Sequence, residues 1–267
     1  MKIPVFVRSS GERTTELCLH SVVAAGFPAG CLNIFDNTGK AFWNVLVRSL
    51  KAAADSLESH VLVIDADVVM FPNACELISA CIESRPQFAR IEFQRICKFT
   101  TKTRGIHLYN VRRLQNEIIP ELSRVPEDHL KPESELIRRL YLRGVADVQH
   151  TGPTVAWHDF EQYFAHIYAK MALRAMRDPI MHDVLRIRAS QHPSDADYAV
   201  ALSGFRDGLR LGREALNHPR RSYDDKPALA RIPAVYAGLA LTARAPRSAP
   251  TGGEAYGREQ NRAQALR

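Results

Sequence analysis

Four consecutive apolar residues, Val61-Leu62-Val63-Ile64, run directly into Asp65-Ala66-Asp67. A largely β-branched run with no polar alternation reads as a strand buried on both faces, and a sheet covered by helices on each side is what buries it so. Two carboxylates one residue apart at the end of such a strand repel each other unless a cation or a proton lies between them. Open α/β sheets collect their ligands outside the carboxyl ends of their strands. Taken alone, Asp-x-Asp is also a common turn or capping sequence, so its place in the chain decides its meaning.

Two strand-helix units precede it. Residues 3–8 read as a strand and 14–25 as a helix, with Leu17, Leu19, Val22 and Val23 at helical spacing and Gly26 as the stop. Residues 31–35 read as a second strand ending in Asp36-Asn37-Thr38-Gly39, and residues 40–57 as a second helix. After the apolar run, Pro72-Asn73 opens a helix to residue 82, which Pro86 ends. Helical crossovers of this length predict a parallel sheet with helices on its faces.

The chain then changes character. Residues 88–93 and 106–111 read as strands around a polar loop over 100–105. Residues 112–119 predict a helix stopped by Pro120, and residues 132–143 a helix stopped by Gly144. Strand-like pieces cover 145–157. Asp159 with Gln162 three residues on predicts a capped helix, with Phe160, Phe164, Ile167, Tyr168 and Met171 as its apolar stripe. Further helical pieces follow to about residue 215.

Composition excludes several classes. Of 267 residues, 46% are apolar and 24% charged, which fits a globular protein and not a disordered one. Fourteen glycines without a three-residue period exclude a collagen-like chain. The longest apolar stretches, 61–71 and 234–241, fall short of the roughly 20 residues a membrane span needs. The first residues read as a strand rather than a secretory leader, so the expectation is a cytoplasmic protein. Its five cysteines form no Cys-x-x-Cys pair, which argues for small apolar side chains rather than a disulfide framework or a zinc knuckle.

The net charge is +7, and residues 218–267 carry +5 of it, with nine Lys/Arg against four Asp/Glu. That segment is also rich in Ala, Pro, Gly and Ser, and is expected to be a disordered tail. Its scattered arginines lack interleaved aromatics, so nucleic acid is not an expected partner. Peripheral contact with an anionic membrane surface is the association such a tail allows.

The segment Val-Leu-Val-Ile-Asp-Ala-Asp-Val-Val-Met-Phe-Pro resembles the strand-DxD-strand signature of GT-A nucleotide-sugar glycosyltransferases, particularly their family-2-like branch. The resemblance takes in the first strand, Asn-Ile-Phe-Asp-Asn-Thr, the helix after Lys40, the Gly-Ile-His-Leu-Tyr-Asn-Val-Arg-Arg strand and the helix after His158, about residues 1–175. It implies a GT-A, Rossmann-like fold: a mostly parallel central sheet flanked by helices. The expected organisation is a catalytic domain over 1–175, with a nucleotide-binding half (1–85) and an acceptor half (86–175). A helical extension (176–217) and the basic tail (218–267) follow.

The resemblance also implies roles. Asp67 would ligate a divalent metal, Mn²⁺ or Mg²⁺, with Asp65 on the ribose or a metal-bound water and His158 as a further ligand. The nucleotide of a UDP- or GDP-type sugar would meet Arg8, Ser10 and Glu12 after the first strand, Asp36 after the second, and Asn44 on the second helix; Arg8 or Arg13 would reach a phosphate. Residues 132–144 match the acceptor helix of inverting members at Leu136, Arg139 and Gly144. Glu133 falls where those members carry the catalytic Asp, and Pro132 replaces the preceding Glu. Glu133 would be the base for an acceptor hydroxyl on a saccharide, a lipid-linked sugar or a protein, with Glu135 and Asp128 in reserve.

Plainer readings remain open for these residues. Asp36 also suits an Asx-turn, Glu133 a helix N-terminus, and His158 a structural position at a helix start. Three other functions share some of the features. A haloacid-dehalogenase-like phosphatase would use Asp65 as nucleophile and Asp67 as acid/base, but carries that motif on its first strand. A sugar-phosphate nucleotidyltransferase would want a glycine-rich phosphate loop, which Ser9-Ser10-Gly11-Glu12-Arg13 is not. A catalytically silent GT-A-like binding protein would keep the fold without the transfer.

Overall fold

The computed structural model describes residues 2–37, 42–100, 102–127, 129, 131–160, 162 and 164–211. Lys40, Asp128, Tyr163, residues 212–217 and the basic tail lie outside the described residues.

The expected buried strand is β3 (His60–Asp65), and Val61, Leu62, Val63 and Ile64 are all fully buried. Alternation sends Leu62 and Ile64 into one core and Val61 and Val63 into the other. Each such side chain contributes roughly 1.5–3 kcal/mol by leaving water. The first core lies under α1 (Thr15–Ala24) and α3 (Ala74–Ser84). The second lies under α2 (Phe42–Ala54) and the helices that follow β6.

The sheet has seven strands among the described residues, in the order β2-β1-β3-β6-β5-β7-β4. β1 is Val5–Ser9, β2 Leu32–Asp36, β4 Val68–Met70, β5 Arg90–Cys97, β6 Lys102–Asn110 and β7 His150–His158. β1 runs parallel to β2 and β3, and β5 parallel to β7, while β6 and β4 run the other way. Five of the seven strands therefore point in one direction, the mostly parallel α/β sheet that was expected. The chain leaves β1 for β2 on one side and comes back to β3 on the other, which makes the carboxyl ends of β1 and β3 a topological switch point.

Three local expectations are corrected. Residues 100–105 are not wholly a loop: β6 begins at Lys102, where pairing with Ile96 of β5 overrides the polar composition. Pro120 does not stop the helix after β6. The chain runs through α4 (Val111–Arg113), a π turn (Leu114–Ile118) and α5 (Ile119–Leu122), with the proline in the first turn of α5, where no helical N–H is lost. Asp159 does not cap a helix, because α7 starts at Phe164 and Asp159 has φ +64°, far from the extended backbone of an N-cap.

Helix α6 (Pro132–Leu142) has Pro132 in its first turn and buries Leu136 and Leu140. Helices α7 (Phe164–Arg177), α8 (Met181–Gln191) and α9 (Ala196–Leu211) form a third core around Ile167, Tyr168, Met171, Leu185, Tyr198 and Phe205. α7 and α9 touch backbone to backbone: a Cβ added at Gly204 would stand 2.4 Å from the Tyr168 carbonyl oxygen, and one at Gly208 2.2 Å from that of Ala172. Lys98, just past β5, binds Asp195 and Asp197 at the start of α9, fastening this bundle to the carboxyl edge of the sheet. Among the described residues no helix is long and apolar enough to cross a membrane.

Candidate active site

The parallel strands β1, β3, β5 and β7 deliver Arg8, Asp65, Arg95 and His158 to the same edge of the sheet. Arg8 and Asp65 are register partners on adjacent strands, so their side chains share a face. Arg8 donates from Nε to Asp65 Oδ1 at 2.9 Å and from Nη1 to Glu133 Oε1 at 2.5 Å. The guanidinium is buried, with 1% of the side chain exposed, and stacks 5.2 Å above the Phe42 ring. Three residues picked from sequence thus form one ion triad: a strand-1 arginine between the first motif carboxylate and the expected base.

Asp67 belongs to a second cluster. Strand β4 pairs with β7 so that Val68 faces His158, and this register seats His158 beside Asp67. Asp67 Oδ2 lies 3.1 Å from His158 Nε2 and 3.0 Å from Lys170 Nζ. Lys170 also lies 3.3 Å from His158 Nε2 and binds Asp159. Asp159 Oδ2 is 3.1 Å from His158 Nδ1 on its other side. Strand β5 brings Cys97 opposite His158, and Cys97, His158 and Asp159 make a buried trio of potential ligand atoms within 4.8 Å of one another. Cys97 is therefore more than the small apolar filler expected of it.

Arg95 links the two clusters. Its Nη1 lies 3.8 Å from Asp65 Oδ2 and 3.6 Å from Asp67 Oδ1. Asp67 Oδ1 and Arg95 Nη1 are both buried and make no hydrogen bond. A shift in the β5–β6 register next to Phe93 sets Arg95 in place: Phe93 faces Ile106 but Gln94 faces Arg104, which leaves Gly105 as the extra residue. Gly105 has φ +144°, and a Cβ there would come within 2.7 Å of the Arg95 guanidinium. Only glycine permits both that backbone and that close approach.

Burial and charge split the carboxyls. Burial would raise Asp67, but His158 and Lys170 outweigh it and hold the group well below the usual range. Asp65 moves upward, because burial and the neighbouring Asp67 prevail over Arg8. Burial opposes ionisation of Glu133 too, yet the charge and hydrogen bond of Arg8 bring it down to about 2. Glu12 rises to about 7 through burial and the nearby Asp67; it accepts from the Ser10 N–H at 2.6 Å and the Ser9 hydroxyl at 3.1 Å. Burial would raise the Cys97 thiol, but His158 lowers it to about 7. Burial and Arg90 keep His107 uncharged beside Glu133.

The turn between the two aspartates is braced from behind. Gln162 donates to the Thr14 hydroxyl at 2.8 Å, and Thr14 donates to the Ala66 carbonyl at 2.8 Å. Gln162, expected in a capping box, serves this turn instead.

Other sequence candidates sit further out. Ser10 follows β1, and Asp36 ends β2 as the register partner of Ser9. Asp36 is exposed, and its carbonyl accepts from Arg48 at 3.2 Å. Asn44 is exposed on α2, and among the described residues no hydrogen bond ties it to Arg8, Asp65 or Asp67. Glu135 pairs with Arg138 at 2.7 Å rather than with the site, and Arg139 binds the buried Glu121 at 2.8 Å. His150 lines a cavity of about 200 Å³ with Arg85, Phe88 and Asp147, at the opposite end of β7 from His158. Sequence reasoning missed Arg95, Asp159 and Lys170. The only trace of Lys170 is its place off the apolar stripe of α7, and Arg95 depends on a register shift that periodicity does not reveal.

No protein-family model and no curated protein matches this chain. Solved structures do. One is residues 1–349 of S. aureus TarS in complex with UDP, at 14% identity and TM-score 0.42, covering 94% of this chain and 95% of that one. Another is the mannosyltransferase PcManGT from Pyrobaculum calidifontis in complex with GDP-Man and Mn²⁺, at 14% identity and TM-score 0.41, covering 90% and 81%. A third is a glycosyltransferase involved in the glycosylation of the major capsid of PBCV-1, at 12% identity and TM-score 0.39, covering 58% and 93%. These likenesses carry nothing about activity.

Proposed function

We propose that this chain moves a glycosyl group from a UDP- or GDP-type sugar to an acceptor hydroxyl, with Mn²⁺ or Mg²⁺ held by Asp67 and His158. One observation carries the reading: Asp67 Oδ2 and His158 Nε2 stand 3.1 Å apart at the carboxyl edge of the sheet. Adjacent ligands of a six-coordinate ion with bonds of roughly 2.1 Å stand about 3 Å apart, so the pair matches. The buried Asp67 Oδ1, which has no hydrogen bond, offers a further oxygen. The carboxylate oxygens suit manganese or magnesium, and the imidazole nitrogen favours manganese, the softer of the two. Asp65 is turned to Arg8, so it serves the ribose side rather than the ion.

When bound, the ion neutralises charge on the departing diphosphate. The chain's own residues do the rest. Arg95 and Lys170 add positive charge along the same edge, where phosphate oxygens would lie. Ser10, Asp36 and Asn44 form the nucleoside side, at the ends of β1 and β2 and on α2. Glu133 is ionised and reaches the site through Arg8, but a carboxyl at about 2 is a weak proton acceptor near neutral pH. Direct displacement with inversion therefore needs Arg8 to release Glu133 as the acceptor enters.

Titration calorimetry with UDP, GDP and their sugars, with and without Mn²⁺, tests this on wild type and Asp67→Asn. The expected result is manganese-dependent binding of one nucleotide, weakened at least tenfold in the variant. No binding of either nucleotide under any condition sinks the reading.

A further inference from the structure

Lys170 occupies the opening that a divalent ion would enter. Its Nζ, Asp67 Oδ2 and His158 Nε2 form a nearly equilateral triangle with sides of 3.0, 3.3 and 3.1 Å. A second carboxylate, Asp159, closes on the same ammonium. Asp159 reaches it through a left-handed backbone, φ +64°, that non-glycine residues seldom adopt. Asp67 and Asp159 are 14% and 1% exposed, so the charges that Lys170 balances are largely out of water.

We propose that Lys170 is a tethered competitor of the divalent ion: it fills the Asp67–His158 site when no nucleotide is present and leaves it when a diphosphate arrives. An ion bonded to Asp67 Oδ2 and His158 Nε2 meets the ammonium within a few ångströms from either side, and like charges that close exclude each other. The lysine must therefore move for the ion to settle. Its side chain is 22% exposed on a flexible four-carbon stem, so it has a path outward. A diphosphate supplies new acceptors for the ammonium just as the ion takes the old ones. Ion and nucleotide then help each other bind, by reciprocal coupling. Arg95 Nη1, buried without a hydrogen bond 3.6 Å from Asp67 Oδ1, adds a second positive charge on the same edge.

The inference rests on the proposed metal and nucleotide. Its test is manganese binding followed by electron paramagnetic resonance of the free ion, with and without UDP or GDP, on wild type, Lys170→Met and Lys170→Arg. Wild type is expected to bind Mn²⁺ weakly alone and at least tenfold tighter with the nucleotide. Lys170→Met is expected to bind Mn²⁺ alone about tenfold tighter than wild type and to gain little from nucleotide, and Lys170→Arg to behave as wild type. Acetylation of wild type, read by mass spectrometry, needs no variant: Lys170 is expected to label faster once Mn²⁺ and nucleotide are both present. Manganese bound with nucleotide in wild type, but no tighter in Lys170→Met and with Lys170 labelling unchanged, overturns the lysine's role and leaves the transfer reading standing. No manganese bound by any of the three proteins, with or without nucleotide, overturns both.

Discussion

Arg8 and Glu133 stand 125 residues apart in the chain and 2.5 Å apart in space. The contact ties the first strand to the start of α6 and passes on to Asp65, so both carboxylates share one guanidinium. Replacing Arg8 with Met removes the counter-charge from both and leaves them facing each other. Losing one member of a buried ion pair costs about 3–5 kcal/mol. Urea unfolding is expected to show a loss in that range for Arg8→Met. Arg8→Lys should recover only part of it, because an ammonium lacks the fork that reaches two carboxylates at once.

The low proton affinity of Glu133 gives a pH test. Its carboxyl lies at about 2 when folded, against 4.5 without its neighbours. Between those values the unfolded chain holds more protons, so this group's stabilisation is complete above pH 4.5 and fades as pH falls toward 2. Glu133→Gln is expected to be less stable than wild type at pH 7 by roughly 2–3 kcal/mol. The gap should narrow through the acid window. Melting curves at pH 7, 5 and 3.5 check the sign; a gap that widens on acidification contradicts it.

Gly105→Ala meets two obstacles at once. The residue would have to hold φ +144° and place a methyl 2.7 Å from the Arg95 guanidinium. Backbone strain of that kind costs about 1–3 kcal/mol. If Arg95 shifts to make room, Asp65 and Asp67 lose the cation between them. The expected outcome is a lower melting temperature together with several-fold weaker nucleotide binding, measured on the same preparation.

Gly208→Ala tests the helix pair behind Lys170. Intrinsic helix preference would favour the alanine by about 1 kcal/mol. Here the new carbon would sit 2.2 Å from the Ala172 carbonyl oxygen, a backbone atom that cannot step aside alone. The substitution is therefore expected to destabilise, by roughly 1–3 kcal/mol. Gly30→Ala, with nothing within 4 Å of the added carbon, serves as the neutral control in the same denaturation series.

Much of the framework could be read from local pattern. The run from Val61 to Ile64 implied a doubly covered strand, and the helical crossovers implied parallel neighbours, because both are consequences of short-range periodicity. Arg8, Asp65, Asp67 and His158 converge because strand ends in such a sheet meet along one edge, and Glu133 joins them from the first turn of α6. What local pattern could not supply was pairing. Lys102 joins a strand only because Ile96 faces it. Arg95 reaches the aspartates only because Gly105 is squeezed out of register, and Lys170 arrives from α7, which packs through Tyr168 and Ala172 on the glycines of α9. Asp159 looked like a cap because Asp-x-x-Gln satisfies the pattern; its pairing with Lys170 and the buried His158 took it away from that role.

The glycine contact between α7 and α9 bears on the order in which the chain is made. The turn after β3, which carries Asp67, and strand β7, which ends in His158, are synthesised before residues 196–211 exist. Until α9 emerges and lays Gly204 and Gly208 against Tyr168 and Ala172, α7 lacks its closest helical neighbour and rests on Cys97, Phe99 and α8 alone among the described residues of that core. The nascent edge of the sheet then holds Asp67 and Asp159 without a fixed lysine to balance them. The seat of Lys170 thus depends in part on the last described helix, so the charge cluster begun at Asp67 is completed by sequence more than a hundred residues further along the chain.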